Sequence, residues 1–161
     1  MSLESVRLHL AASAPELVIE ELSCSTATVG EAAAAHGVAP GQIAKSLTLR
    51  VGEEVVLIVA GGDVRLDNRK LRDVLGNRVK MLPAEAVERE TGHPVGGVCP
   101  FGLLRPIRIL CDISLRNFAE VIPAAGSLNS AVRVAPQRLA ELAGATWVDV
   151  CQSRPDGTSA G

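Results

Sequence analysis

Aromatic side chains are almost missing from this sequence: its 161 residues hold two Phe, one Trp and no Tyr. A platform that stacks successive bases needs such rings, so that mode of nucleic-acid binding is excluded. The core must instead be built from Val, Leu, Ile and Ala. Surplus basic charge is missing too, with 16 Lys and Arg against 18 Asp and Glu, a formal net charge of −2 and a pI near 5.9. Gripping many backbone phosphates needs clustered excess cations. The chain is therefore expected to recognise a nucleic acid locally and with modest affinity, and no DNA partner is expected. No apolar run approaches the roughly 20 residues of a membrane helix. The N-terminus lacks the basic and apolar regions of a signal peptide. A cytoplasmic protein without a membrane partner is the expectation. The four cysteines, Cys24, Cys99, Cys111 and Cys151, form no C-x-x-C pair and no Cys/His cluster of zinc spacing. Reduced, buried thiols are expected, with no metal and no cofactor.

What is present is a well-patterned apolar chain. Hydrophobic residues make up 47% and charged residues 21%, enough for a real core. The length fits one domain over residues 1–151, followed by a polar, flexible tail over 152–161. Ser2 to Ala12 reads as an amphipathic helix and Leu17 to Leu22 as a strand. Thr28 with Glu31 has the form of a capping box and opens a helix that ends near Gly37. Lys45 to Val51 and Glu54 to Ala60 read as a hairpin about Gly52-Glu53. Asp67 caps a helix to Leu75, Arg78 to Leu82 is a short strand, and Pro83 opens a helix to Glu90. Arg105 to Cys111, Asn117 to Ile122, Ala131 to Val134 and Thr146 to Val150 read as strands, with a helix from Pro136 to Ala143. Helices and strands do not alternate cleanly. The pattern predicts an α+β fold with a curled, mostly antiparallel or mixed, barrel-like sheet flanked by helices.

Two features stand out from this pattern. The run Thr91-Gly-His-Pro-Val-Gly-Gly-Val-Cys-Pro-Phe-Gly102 places four Gly and two Pro in twelve residues. Glycine admits close approach to the main chain, and proline stiffens it. Gly96 and Gly97 make either a tight connection or a cradle of N–H groups for an anion or oxyanion. No Gly-Lys-Ser/Thr follows, and the spacing is not that of a dinucleotide loop. Lys45, in Ile43-Ala-Lys-Ser-Leu47, is a lone cation in a strand-like run. It either points to solvent or stands in a cleft as a compact point charge. Cys99 would be a nucleophile only with a base such as His93 folded back on it. Asp112 is either a turn residue or a polar wall. Pro123-Ala-Ala-Gly-Ser-Leu-Asn129 is a second loop of small residues, and the two loops suggest one pocket with small walls.

Lys45 in its strand, the Thr91–Gly102 loop, and Ala124-Ala-Gly-Ser-Leu-Asn129 followed by Val132-Arg-Val-Ala-Pro136 resemble, in order and spacing, the YbaK/prolyl-tRNA synthetase editing-domain family of aminoacyl-tRNA deacylases. The resemblance covers about residues 3 to 150. It implies hydrolysis of the ester joining a wrong amino acid to the 3′ end of a tRNA, by a free-standing, metal-free enzyme. It implies a catalytic role for Lys45, and substrate contacts from Gly96, Gly97, Val98, Cys99 and Pro100; Asp112, Gly126 and Ser127 are further candidate substrate contacts as pocket walls. The implied partners are a mischarged tRNA, tRNA-Pro or a related one, and an aminoacyl-tRNA synthetase. Two family features are absent. The Cys-tRNA-Pro deacylase branch carries an acidic residue near Ala131, and the alanine-specific branch a His-Pro pair in the loop matching Ser127–Asn129. Small walls suggest Ala, Ser, Thr or Cys as the amino acid cleared. A non-catalytic module that binds tRNA ends or a synthetase, and a thiol-dependent hydrolase or redox protein using Cys99, are the competing readings.

Overall fold

The computed structural model describes residues 2–76 and 78–152. Helix boundaries follow local chemistry. In α1 (Ser2–Ser13), Val6 and Leu10 lie one turn apart and are buried together. Thr28 caps α2 (Val29–His36): its Oγ1 accepts from the Glu31 N–H at 3.1 Å, and the Glu31 carboxylate accepts from the Thr28 N–H at 3.3 Å. Gly37 ends that helix at φ 68°. The Asp67 carboxylate accepts from the N–H groups of Arg69 and Lys70 at the start of α3 (Asn68–Leu75). Prolines open α4 (Ala84–Thr91) and α5 (Pro136–Ala143).

The main sheet is mixed. Strands β2 (Ile43–Val51) and β3 (Glu54–Gly61) form the expected antiparallel hairpin. β5 (Arg108–Asp112) runs parallel to β3, and β8 (Thr146–Val148) parallel to β5. On the free edge of β2, the antiparallel β4 (Val79–Met81) takes residues 49–51 and the parallel β6 (Ile122–Pro123) takes residues 43–44. A second, two-stranded sheet pairs β1 (Glu20–Glu21) with β7 (Ser130–Ala131). Val56, Leu57, Ile58 and Val59 of β3 are fully buried, each contributing roughly 1.5–3 kcal/mol. Leu57 and Val59 meet Val6, Leu10 and Leu139 of α1 and α5. Val56 and Ile58 meet Leu71 of α3 on the other face.

The α+β class and the mixed sheet are as the pattern predicts, but the sheet is open, not barrel-like. The parallel strands β5 and β8 need crossovers, which lay helices on the faces and leave β4 and β8 as distant edges. Most strands are shorter than expected: β4, β7 and β8 span only Val79–Met81, Ser130–Ala131 and Thr146–Val148. Only Glu20–Glu21 of residues 17–22 pairs. The strand through β5 starts at Arg108, beyond Pro106, which has no N–H to give. The strand expected over 117–122 keeps Ile122 and an isolated antiparallel bridge from Val121 to Val134, and its start is taken by a 3₁₀ turn over Ile113–Asn117 that Asp112 caps. Residues 153–161 of the expected tail lie outside the described residues.

The 91–102 loop is clamped to α1. The Ser5 hydroxyl donates to Gly102 O at 3.0 Å, and the Gly102 N–H donates to His9 Nδ1 at 3.1 Å. Gly102 has φ 59°, and a Cβ there would stand 2.6 Å from the Ser5 carbonyl. Gly52, at φ 63° in the β2–β3 turn, faces open space. Both Gly→Ala changes strain the backbone by about 1 kcal/mol, and Gly102→Ala adds an overpacking cost on the order of 2 kcal/mol. Urea unfolding of the two variants should therefore rank Gly102→Ala clearly below Gly52→Ala. Equal midpoints would contradict the clamp.

Candidate active site

A cleft of about 310 Å³ opens where the outer edge of β2 is interrupted. Since β6 covers residues 43–44 and β4 covers 49–51, residues 45–48 have no strand neighbour on that side. The Leu82 N–H closes one end by donating to Thr48 O at 3.0 Å. Every second residue of a ladder turns its main-chain groups to the same edge, so the N–H and C=O of Ser46 face the gap. The Ser46 hydroxyl is buried without a hydrogen-bond partner. The walls are apolar and small: Val29 and Ala32 of α2, Ile43, Ile122, Val87 of α4, and Val98. Thr26, Thr28, Thr48 and Ser130 add hydroxyl groups.

Lys45 is the one charged residue in this lining. It is half-buried, and its ammonium donates to the carbonyl of Val64 and lies 3.5 Å from that of Gly62. Burial lowers its pKa below the ordinary lysine value. The thiol of Cys151 and the carboxylate of Asp63 act in the opposite direction, and Arg65 adds to the lowering. Of the two sequence readings, Lys45 stands in a cleft rather than in solvent.

The glycine-rich loop supplies part of the opposite wall. The Gly97 N–H donates to Pro94 O at 2.9 Å, closing a turn in which Gly96 takes φ 93°. A Cβ on Gly96 would meet Ala27 and Leu128 at 2.8 Å. Gly96 and Val98 line the cleft, while Gly97 sits behind it against the second small-residue loop. The Gly126 N–H donates to Gly97 O at 3.0 Å, and a Cβ on Gly97 would stand 2.8 Å from Ser127 N. The two loops thus pack on one another, as expected of a shared pocket, but Gly97 and Gly126 serve that packing rather than the cleft surface. Ser127 also sits one layer back, its hydroxyl donating to Asn129 Oδ1 at 3.0 Å and accepting from the hydroxyl of Ser130, which does line the cleft.

Three expected substrate contacts lie elsewhere. Asp112 is fully buried on β5, two strands from β2; its carboxylate accepts from the N–H groups of Ser114 at 2.9 Å and Val150 at 2.8 Å. It ties down the C-terminal strand region. Cys99 and Pro100 are buried beneath the loop. Cys99 Sγ is 3.7 Å from His93 Nε2, so the two residues do meet. Burial pushes the thiol up to about 12 and lowers the His93 pKa. His93 Nε2 lies 2.7 Å from Phe101 O, an acceptor, so that nitrogen carries the proton and cannot act as a base toward Cys99. The sequence reading missed Ser46, Thr48 and Ser130. Ser46 had one signal, a hydroxyl beside the lysine in an apolar run; the others depend on long-range pairing.

Known proteins place this geometry. The chain is 45% identical over 154 residues to the uncharacterised protein YwhH of Bacillus subtilis, covering 94% of this chain and 98% of that one. It is 27% identical over 117 residues to a protein of Enterococcus faecalis named as a candidate Cys-tRNA(Pro)/Cys-tRNA(Cys) deacylase, EbsC, covering 71% of each. The crystal structure of a candidate trans-editing enzyme for prolyl tRNA synthetase superposes with a TM-score of 0.88 at 33% identity, covering 94% of this chain and 98% of that one. Residues 24–142 match the model of the aminoacyl-tRNA editing domain, and the chain belongs to that family.

Proposed function

We propose that the chain is an aminoacyl-tRNA deacylase that works in trans, clearing a small amino acid from tRNA-Pro or a related tRNA. The carrying observation is Lys45, a single cation in a small apolar cleft beside an open strand edge. Family membership and the likeness to EbsC and to the candidate trans-editing enzyme support the same activity. In this reading water attacks the ester carbonyl, the bond to the ribose oxygen breaks, and that oxygen leaves as a hydroxyl with a proton from the water. The Ser46 N–H is placed to meet the developing oxyanion, and the Lys45 ammonium to hold the ribose hydroxyl or terminal phosphate. The ester is already activated, so no protein nucleophile is required. Val29, Ala32, Ile43 and Val98 leave room for Ala, Ser, Thr or Cys and disfavour bulky side chains.

The accessory-module reading has one observation in its favour: the Lys45 ammonium already has carbonyl acceptors and could serve structure alone. Deacylation of a panel of Ala-, Ser-, Thr- and Cys-charged tRNAs separates the two. The expected result is turnover of one or two species, lost roughly 100-fold or more in Lys45→Ala with an unchanged fold. No turnover by the native chain would support the accessory module instead.

The ammonium sets the pH dependence. A group that acts as a cation is fully active below its pKa and is lost above it. Because burial lowers the Lys45 pKa from 10.5, turnover corrected for free hydrolysis should decline at a pH below 10.5, and Lys45→Ala should lack that limb. A thiol mechanism is tested by Cys99→Ala. With a thiol raised to about 12 and no base beside it, turnover should stay within about threefold of native while thermal stability falls. Abolished turnover in folded Cys99→Ala would restore the thiol reading.

A further inference from the structure

A net charge of −2 conceals a segregated surface. Most cations of this chain are already engaged. Arg7, Arg50, Lys70, Arg105, Arg108, Arg133 and Arg138 lie against carboxylates. Arg116 lies 4.2 Å above the Trp147 ring. By contrast, Arg65, Arg69, Arg72, Arg78 and Lys80 are exposed and close no ion pair among the described residues. Among the described residues outside this segment, Arg89 shares that state, and Arg116 differs from it only by its ring contact. The acidic residues of the segment do not neutralise it. Residues 63–80 hold Asp63, Asp67 and Asp73 against Arg65, Arg69, Lys70, Arg72, Arg78 and Lys80, which leaves an excess of cations.

The segment also begins and ends at the cleft. Val64, whose carbonyl receives the Lys45 ammonium, directly precedes Arg65. Met81, at the other end, lines the cleft mouth directly after Lys80, and β4 joins β2 where the open edge stops. Helix α3 bridges the two ends. An unpaired cation is ordinarily a solvated one. Five of them on one excursion from the cleft wall, in a protein that pairs its arginines elsewhere, form an electrostatic footprint for a polyanion.

We propose that Arg65, Arg69, Arg72, Arg78 and Lys80 form the docking surface for the phosphate backbone of the RNA whose 3′ end enters the cleft. The proposal rests on the editing reading of that cleft and adds the surface that delivers the substrate. Aromatics are absent from the strip, so its contacts are with phosphates and carry orientation rather than sequence.

The test is binding of uncharged tRNA-Pro transcript to the full chain, followed by fluorescence anisotropy from about 50 to about 200 mM salt. The triple variant Arg69→Gln, Arg72→Gln, Lys80→Gln is compared with Arg7→Gln, Arg108→Gln, Arg138→Gln, which removes the same charge from the paired set. Loss of three phosphate contacts should weaken binding at least about tenfold and flatten the log–log salt slope by about two. The paired-set variant should change affinity less than about threefold, and the strip triple Arg69→Lys, Arg72→Lys, Lys80→Arg should bind nearly as the native chain does. Equal weakening in both Gln triples, strip-independent binding, or no binding at the lowest salt would overturn the proposal. Lys45→Ala, measured alongside, separates the two readings. If the native chain deacylates nothing yet binding depends on the strip, the editing reading falls and the strip stands. If turnover depends on Lys45 while both KM and binding ignore the strip, the reverse holds.

Discussion

The outer edge of β2 has two partners and a gap between them. β6 arrives parallel and stops after residue 44; β4 arrives antiparallel and begins at residue 49. A full-length neighbour would satisfy every main-chain group along the strand, and there would be no cleft. Because neither neighbour reaches the middle, the main-chain groups of Ser46 are left to whatever enters from outside. The remaining walls are arranged around that edge. α2 leans in from one side with Ala32, α4 from the other with Val87, and the turn at Gly96 closes over the top.

Glycine has a different purpose here from the one its density suggests. At Gly97 the main chains of two loops approach so closely that a Cβ would collide with the backbone of Gly126 and Ser127, while a Cβ on Gly126 would collide with Ser2 of α1. The loops become one slab, and the cleft is lined by the residues this slab presents, Gly96, Val98 and Ser130. Below it, His93, Cys99 and Phe101 form a dry support, with the imidazole bonded to Ser2 and to the Phe101 carbonyl. The chemistry-bearing residue types in the loop therefore support the site without reaching it.

Local signals were legible in the sequence, and long-range ones were not. The caps at Thr28 and Asp67, the glycine stop at Gly37, and the hairpin about Gly52 follow from nearest-neighbour chemistry, and they appear where the residues say. Lys45 could be singled out because a lone cation in an apolar strand is anomalous. Asp112 could be read as a turn residue or as a polar wall; it caps a turn, and its carboxylate is consumed by two N–H groups, one of them from Val150, far along the chain. Whether a buried carboxylate faces a ligand or a main chain is decided by tertiary partners that composition does not reveal. The same holds for charge: a total near zero is silent about which arginines have found carboxylates.

The direct hydrogen-bond acceptors of the Lys45 ammonium are main-chain carbonyl oxygens, those of Val64 and Gly62. Main-chain acceptors persist through substitution, since every residue type offers the same oxygen. The walls of the cleft are side chains and can drift freely. A lineage can therefore resize the pocket around a fixed cation, exchanging one acyl group for another while the charged centre stays in place.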